Sequence, residues 1–344
     1  MNSDSLSPVR AREHPSSEDP PVWRMALLAL RRTGALYAHA LWDACTGPVP
    51  RRGRRLLFLA GFLPAHAMWM TIQWAFLLLD EVLAPGYRAV AIRQPVFVLG
   101  PPRSGTTHLH RVLAQDRERF TTCSTLELFA APSVLQKRLL QATKSVDRAL
   151  GRPLGRLVRW IENRSLGGLD ATHPSGLHEP EEDFFLLLPV QACFALALFF
   201  PRWAPLFAMI LEQDPASAAD RRLALSWYRR CLQKHLYVAG TDRTLLSKNA
   251  SFSAWIEPLI ELFPDARILC CDRAPSQTVP SMLSLADGKR KAAAVNGDDA
   301  AFHARMIQVM RAHYQALARY LPALPPDRWA VVDREDQRLR LADS

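Results

Sequence analysis

Short apolar runs separated by amphipathic stretches make up most of this chain. The runs at 95–100, 244–248, 268–271 and 329–332 have the length and composition of strands buried in a parallel sheet. Between them, apolar residues recur every three or four positions, for example over 252–263, as they do on one face of a helix. This alternation predicts an α/β fold in which helices flank a mostly parallel sheet.

The N-terminal part of the chain has a different pattern. Residues 1–20 are rich in Ser, Pro and charged residues and are predicted to form a disordered tail. A helical pattern follows, and within it residues 56–79 contain no Asp, Glu, Lys or Arg. We therefore divide the chain into the tail, a helical region at 21–92 and a larger α/β domain at 93–344.

The apolar stretch 56–79 is long enough to span a bilayer, and four arginines precede it at 51–55. Because little chain separates this stretch from the strand at 95–100, a spanning helix would hold the domain against the bilayer. A helical hairpin lying on one leaflet, with the arginines on anionic headgroups, fits better and predicts a peripheral membrane contact through 51–79. A buried helical pair in a soluble protein explains the same pattern equally well.

Charge and cysteine content bear on the partners and the compartment. The net charge of +10 favours anionic partners, but no sequence signature of nucleic-acid binding accompanies it. The six cysteines lie in apolar surroundings without a Cys-x-x-Cys pair, which is typical of reduced thiols in a protein core. We expect a cytoplasmic protein without nucleic-acid partners, associated with a membrane if the hairpin hypothesis holds.

The strand at 95–100 leads into a loop suited to binding an anion. Its sequence, Gly-Pro-Pro-Arg-Ser-Gly-Thr-Thr, brings glycines, backbone N–H groups and a helix N-terminus together. Gly100 and Gly105 have the spacing of a nucleotide P-loop, but Thr106 stands where a lysine would grip the β- and γ-phosphates. Arg103 lies inside the loop instead. These features predict an anion other than a magnesium triphosphate.

Two further strands end in residues that bind anions. Lys248 and Asn249 end one predicted strand, and Arg273 follows another, with Ser281 eight positions later. Because ligands of parallel sheets bind beyond the carboxyl ends of the strands, we expect these residues to meet the glycine loop. Arg273 and Ser281 would then clamp one phosphate together.

At this point the chain resembles the sulfotransferase superfamily, in particular its bacterial branch and the tyrosylprotein sulfotransferases. The resemblance covers roughly residues 80–320 and implies the P-loop-like fold of that superfamily. Residues 337–344 do not resemble the continuation found in relatives, which predicts a divergent C-terminus. The segments that carry the resemblance are 95–116 with PPRSGTT, 178–183 (HEPEED), 245–249 (LLSKN) and 263–285 (FPDARILCCDRAPSQTVPSMLSL).

The resemblance implies a donor and a reaction. The donor would be 3′-phosphoadenosine 5′-phosphosulfate (PAPS), and its sulfuryl group would pass to a hydroxyl or amine by in-line displacement without a metal ion. Lys248 and Arg103 would stabilise the sulfuryl group in transit. The residues implied in donor binding are Arg103, Ser104, Gly105, Thr106 and Thr107 for the 5′-phosphosulfate, and Arg273 and Ser281 for the 3′-phosphate.

The resemblance also implies a general base, and two residues compete for that role. Glu127 matches by position the carboxylate that serves as base in the tyrosylprotein branch, and burial among its apolar neighbours is expected to raise its pKa. His178 could act at neutral pH without any shift. Glu182 could orient either of them.

Two other functions stay open from the sequence. A P-loop kinase for small molecules should carry a lysine after Gly105, and Thr106 stands there. A non-catalytic relative would bind the nucleotide without turnover. The acceptor is a small molecule or a lipid, and the apolar runs at 56–79 and 184–200 favour a hydrophobic alcohol.

Overall fold

A computed structural model describes residues 19–46, 52–165, 176–295 and 299–333 of the chain. Its centre is a five-stranded, wholly parallel sheet with the strand order β2-β3-β1-β4-β5. The four strands predicted from the apolar runs are confirmed, and the two-residue strand β2 was not predicted. The strands are β1 (Val96–Leu99), β2 (Phe120–Thr121), β3 (Thr244–Lys248), β4 (Arg267–Asp272) and β5 (Trp329–Asp333).

Helices connect the strands and cover the sheet, as the alternating pattern predicts. Five short 3₁₀ segments join them, of which Asp183–Val190 and Ala250–Trp255 bear on the site. The α-helices are α1 (Val22–Thr46), α2 (Arg52–Leu83), α3 (Thr106–Leu113), α4 (Thr125–Ala130), α5 (Val134–Ala149), α6 (Pro153–Ser165), α7 (Leu196–Phe199), α8 (Ala204–Leu211), α9 (Pro215–Ala239), α10 (Ile256–Leu262), α11 (Pro275–Ala292) and α12 (Asp299–Tyr320).

Strand β1 lies in the middle of the sheet because all four of its side chains are apolar and can be buried on both faces. It pairs with β3 through the register of Val98 with Lys248, and with β4 through Val98 with Leu269. All four residues of β1 are buried, as expected for a strand covered by helices on both sides. This arrangement brings the carboxyl ends of β1, β3 and β4 to one edge of the sheet.

The N-terminal helices α1 and α2 pack on each other and on the α/β core. Trp74 of α2 packs against Trp227 of α9 with ring centroids 5.0 Å apart, and Leu36 of α1 is buried in the same apolar cluster. The expected boundary between 21–92 and 93–344 therefore crosses a continuous core, and the division stays a prediction. By length and composition α2 is the one helix in the described ranges that could cross a membrane.

Ionic contacts fasten the end of α2 to two other helices. The Asp80 carboxylate accepts hydrogen bonds from the backbone N–H groups of Val134 and Leu135, the first residues of α5. Its Oδ2 also lies 2.7 Å from Nζ of Lys234 in α9, and both side chains are fully buried. The Asp80 carboxylate thus accepts hydrogen bonds from the N-terminus of α5 and also neutralises the buried ammonium group of Lys234.

The structure differs from the sequence-based expectation at two places in and beyond α2. Arg55 was expected on lipid headgroups, but it is buried and donates hydrogen bonds to the backbone carbonyls of Phe199 and Ala293. The Lys-, Ala- and Asp-rich composition of residues 286–300 predicts a loop, but helix α11 continues through the first part of that segment to Ala292. The expected tail at 1–20 and the divergent C-terminus at 337–344 lie outside the described residues, apart from Asp19 and Pro20.

Candidate active site

The glycine loop after β1 has the backbone that its sequence requires. Gly100 has φ +149°, and a Cβ there would lie 2.6 Å from both the Cys271 carbonyl oxygen and Ser104 Oγ. Arg103 and Gly105 also have positive φ values, of 73° and 103°. Only Gly100 and Gly105 adopt this conformation without strain, and Arg103 is held in it by its contacts.

Lys248 ends β3 directly beside this loop. Its side chain is only 2% exposed, and Nζ donates a hydrogen bond to Thr107 Oγ1 at 2.8 Å. On the other side, Nζ lies 2.7 Å from Oε1 of Glu182 and 3.7 Å from Oε1 of Glu181. The buried ammonium group is thus shared between the loop and a pair of carboxylates, as a buried charge requires.

Arg273, Ser281 and Arg103 also come together. Nε of Arg103 donates to Ser281 Oγ at 3.0 Å, and a terminal nitrogen of Arg273 donates to the carbonyl oxygen of Arg103 at 2.9 Å. The Tyr314 hydroxyl donates to the Arg273 carbonyl at 2.7 Å. Helix α11 begins at Pro275, so Ser281 lies in its second turn rather than its first. The three strand ends predicted to converge therefore do so.

A cavity of about 940 Å³ opens at this edge of the sheet. Its polar end is formed by the loop from Pro102 to His108 together with Lys248, Glu181 and Glu182. The rest of its wall is mostly apolar and comes from α2, α4, the run at 184–200, α11 and α12, with His66, Ser251, Lys289 and His313 as its polar members. The larger side chains of this wall are Phe62, Trp69, Phe129, Phe184, Phe185, Leu188, Phe194, Leu198, Phe199, Met282, Leu285, Met306 and Met310.

Glu127 lies outside the cavity wall and is already engaged. Its Oε2 accepts hydrogen bonds from the backbone N–H and the hydroxyl of Ser124, both at 2.9 Å, and its Oε1 lies 3.3 Å from Lys137 Nζ. Burial alone would raise the pKa of Glu127, but Lys137, His235 and the Ser124 hydrogen bonds outweigh burial and hold it at about 2. The predicted rise in the pKa of Glu127 is wrong. Lys137 comes ten residues later in the chain, and the sequence does not show that the fold places it beside Glu127.

His178 is exposed and does not line the cavity either. The carboxylates that line the cavity among the described residues are Glu181 and Glu182. From the sequence, Glu182 was expected only to orient the general base, and no role was expected for Glu181. The signal that could have identified them is their position directly before the apolar run that forms the cavity wall.

Three titratable groups near the site, of which Asp183 and His313 are buried and His66 is half-buried, were not predicted. Burial raises the pKa of Asp183 to about 7, although the Tyr228 hydroxyl donates to its Oδ2 at 2.7 Å. Burial lowers the pKa of His66, and that of His313 to about 4, so both imidazoles are neutral in the cavity wall. Nε2 of each has no hydrogen-bond partner among the described residues. In the sequence these three residues are single polar positions beside or within apolar patterns, and nothing there indicates that they lie near the site.

Comparison with known proteins agrees with this geometry. Sulfotransferase Stf3 of Mycobacterium tuberculosis and of Mycobacterium bovis, named as an omega-hydroxy-beta-dihydromenaquinone-9 sulfotransferase, is 26% identical to this chain over 267 residues. The match covers 72% of this chain and 62% of the relatives' length, so the chain accounts for about three fifths of those proteins.

Two solved structures share the fold. Sulfotransferase STF9 of Mycobacterium avium superposes with a TM-score of 0.64 over 92% of this chain and 79% of its own, at 20% identity. Sulfotransferase STF1 of Mycobacterium tuberculosis gives 0.61 over 94% and 88%, at 18% identity. The sequence profile of the Sulfotransferase family matches residues 95–337, which is most of the chain and contains every strand of the sheet. The chain belongs to the sulfotransferase family.

Proposed function

We propose that the protein transfers a sulfuryl group from PAPS to a hydroxyl group of a hydrophobic small molecule or lipid. The observation that carries this proposal is that one cavity joins an anion-binding loop and a buried lysine to a wide apolar wall. The family supports the reaction type. The missing P-loop lysine argues against the kinase alternative, which the comparisons do not support either.

The donor fits the residues at the polar end. PAPS carries its sulfuryl group at the end of the 5′-phosphosulfate and a separate phosphate at the 3′ position of the ribose. The loop, with positive φ at Arg103 and Gly105, offers backbone N–H groups to such an anion. The buried Ser104 hydroxyl has no hydrogen-bond partner among the described residues, and a phosphate oxygen would supply one. Arg273 and Ser281 lie beside Arg103 and are the residues we assign to the 3′-phosphate.

Lys248 and Arg103 are the cations we assign to the reacting end of the donor. Negative charge moves toward the leaving phosphate as the sulfuryl group departs, and a fixed cation in a water-poor cavity stabilises that charge most effectively. Lys248 is already held at the loop by Thr107. Its side chain would need no reorganisation to serve this purpose.

We assign the role of general base to Glu182 instead of Glu127 or His178. A base must reach the acceptor hydroxyl, and Glu182 lies in the cavity wall at the junction of its polar and apolar ends. An anion in the loop would compete with Glu182 for the ammonium group of Lys248. Donor binding would thereby free Glu182 to take the acceptor proton.

The acceptor is expected to carry one hydroxyl on a long or bulky apolar body. Nearly all of the cavity wall beyond Glu182 is aromatic or aliphatic, and such walls bind apolar groups by burial. The name of the Stf3 relatives refers to a hydroxylated menaquinone derivative, which supports an acceptor of this class. All six cysteines are free thiols, and we propose the cytoplasm as the location.

A transfer assay tests the function. The protein is incubated with PAPS labelled in the sulfate group and a bacterial lipid extract, with and without EDTA, and products are identified by mass. We expect a labelled hydrophobic product whose yield is unaffected by EDTA. Labelled phosphate transfer from ATP that requires Mg²⁺ would support the kinase instead, and tight binding of adenosine 3′,5′-bisphosphate without any product would support a non-catalytic relative.

A further inference from the structure

The outward sides of α1 and α2 carry an unusually large set of exposed apolar side chains. In α2 they recur at the spacing of one helical face, from Leu57, which is 76% exposed, through Met68 at 65% to Val82 at 76%. We call this set the outer face of α1 and α2. Its larger members are Trp23, Leu27, Leu30, Leu41, Trp42, Leu56, Leu57, Met68, Ile72, Leu78, Leu79, Val82 and Leu83.

These side chains form one surface because the opposite sides of both helices are packed on the protein. Both helices contact the 3₁₀ segment Asp183–Val190 and each other. The inward residues of α1, such as Leu36, and of α2, such as Leu59 and Leu77, are buried in the main apolar cluster. An exposed apolar surface of this extent is typical of a site that binds a membrane or another protein.

The charges of the two helices favour one of these partners. Their exposed charged residues are all arginines: Arg24, Arg31, Arg52 and Arg54. The acidic residues of α1 and α2, which are both described in full, point into the protein, where Asp43 pairs with Arg202, Asp80 with Lys234 and Glu81 with Arg88. A second copy of the chain would present the same positive charge, whereas an anionic leaflet complements it.

The structure also indicates how α2 would meet the leaflet. Arg55 near its start donates to two backbone carbonyls of the core, and Asp80 near its end is buried against Lys234. Withdrawing both ends into a bilayer would break these buried polar contacts and leave charges unpaired. The helix must therefore lie along the membrane surface rather than cross it.

We propose that the outer face of α1 and α2 docks on an anionic lipid leaflet and brings the cavity beside the acyl chains. Phe62, Ala65, His66 and Trp69 of α2 line the cavity, and Ala65 is itself exposed, so the cavity borders the docking helix. On the assumption that the proposed function holds, a lipid acceptor enters from the leaflet without crossing water. The docking itself does not depend on that function.

Vesicle sedimentation with the full chain tests the docking. Vesicles of phosphatidylcholine alone are compared with vesicles that contain phosphatidylglycerol, without donor or acceptor. We expect binding to the anionic vesicles that weakens with salt, falls about tenfold or more in the double variant Leu57→Glu/Met68→Glu, and falls about fivefold for each of Arg52→Gln and Arg54→Gln. The control Ile307→Glu places one such charge on the exposed side of α12, away from the docking face, and should bind as the wild type does.

Three other outcomes of these binding experiments would overturn the proposal. Equal binding to both vesicle types would show that the arginines do not select an anionic leaflet. Failure of the wild type to bind either type would show that the outer face of α1 and α2 does not dock on a membrane. A wild-type dimer in light scattering that Leu57→Glu/Met68→Glu dissociates, without vesicle binding, would assign the face to a second copy. A cooperative thermal transition in circular dichroism shows that the variants are folded. A positive vesicle result with no sulfate transfer would contradict only the proposed function.

Discussion

At the level of single residues, Lys248 lies between Thr107 of the glycine loop, where we propose that the donor binds, and Glu182, beside the wall where we propose that the acceptor binds. Thr107 holds it from the loop side and Glu182 from the side of the apolar wall. A buried ammonium group needs such a partner, because an unpaired charge in the interior is costly. The contact therefore keeps Lys248 in place before any ligand arrives.

The first prediction concerns the base. Glu182→Gln should lower the transfer rate by about 10²–10⁴-fold, because it removes the proton acceptor, while the donor binds as tightly or more tightly. Single-turnover rates and a donor titration measure the two effects separately. Glu127→Gln and His178→Ala should affect the rate far less. A large loss of rate in Glu127→Gln with unchanged melting temperature would return the role to that residue.

The second prediction concerns the clamp for the 3′-phosphate. Arg273→Ala should weaken binding of adenosine 3′,5′-bisphosphate by about ten- to hundred-fold, because a charge-assisted contact is lost. Adenosine 5′-phosphosulfate, which lacks that phosphate, should bind almost as before. Arg267→Ala, at the exposed opposite end of the same strand, is the matched control. Equal losses for both nucleotides in calorimetric titrations would contradict the assignment.

At the level of elements, the contact of α2 with α5 and α9 shows how the N-terminal helices are fixed to the sheet domain. Asp80 serves as the N-terminal acceptor of α5 and as the partner of Lys234 at once. The contact also leaves the outward side of α2 free of acidic groups. Because Asp80 points into the core, it stabilises the core and places no negative charge on the outer face of α1 and α2.

The third prediction follows from this contact. Asp80→Ala should destabilise the protein by about 3–5 kcal/mol, since Lys234 would stay buried with the more distant Glu81, at 3.5 Å, and the Tyr87 ring as its remaining partners. Urea unfolding measures this free energy. Asp220→Ala removes an ion pair of the same kind, with Arg32, in which Asp220 is 45% exposed, and should cost no more than about 1 kcal/mol. Similar costs for the two variants would show that the buried pair is not structurally important.

At the level of the whole molecule, the buried carboxyl of Asp183 should make stability depend on pH. Its pKa is about 7 in the folded chain because burial disfavours the carboxylate, against about 4 for an unfolded aspartate. Between these values the folded protein binds a proton that the unfolded chain does not. Stability contributed by this group is therefore lost as pH rises from about 4 to about 7.

The fourth prediction is a measurement of that slope. The wild type should lose up to about 1.4 kcal/mol per pH unit more than Asp183→Asn over this interval, because asparagine cannot ionise. Urea unfolding of both proteins at several pH values, compared as a difference, cancels the contributions of other groups. Parallel pH profiles would mean that Asp183 is ionised in the folded protein throughout.

Local sequence determined the elements and the anion loop. Four strands could be located because each is a short apolar run bounded by glycine, proline or charge, and β2 was missed because two residues cannot form a pattern. Gly100 and Gly105 marked the loop because its backbone leaves no room for a Cβ at the first and takes positive φ at the second. Lys248 and Arg273 could be placed at the site because parallel strands end at a common edge.

Only the tertiary structure decided which carboxylate faces the cavity and which side of α2 is exposed. Glu127 and Glu182 are both acidic residues beside apolar segments, and a partner distant in sequence distinguishes them: Lys248 at the cavity holds Glu182. In the same way, an apolar helix such as α2 shows no difference between its sides until Trp74 and Leu77 are packed on the core. Such choices depend on contacts between residues far apart in the chain, and a local pattern carries no information about them.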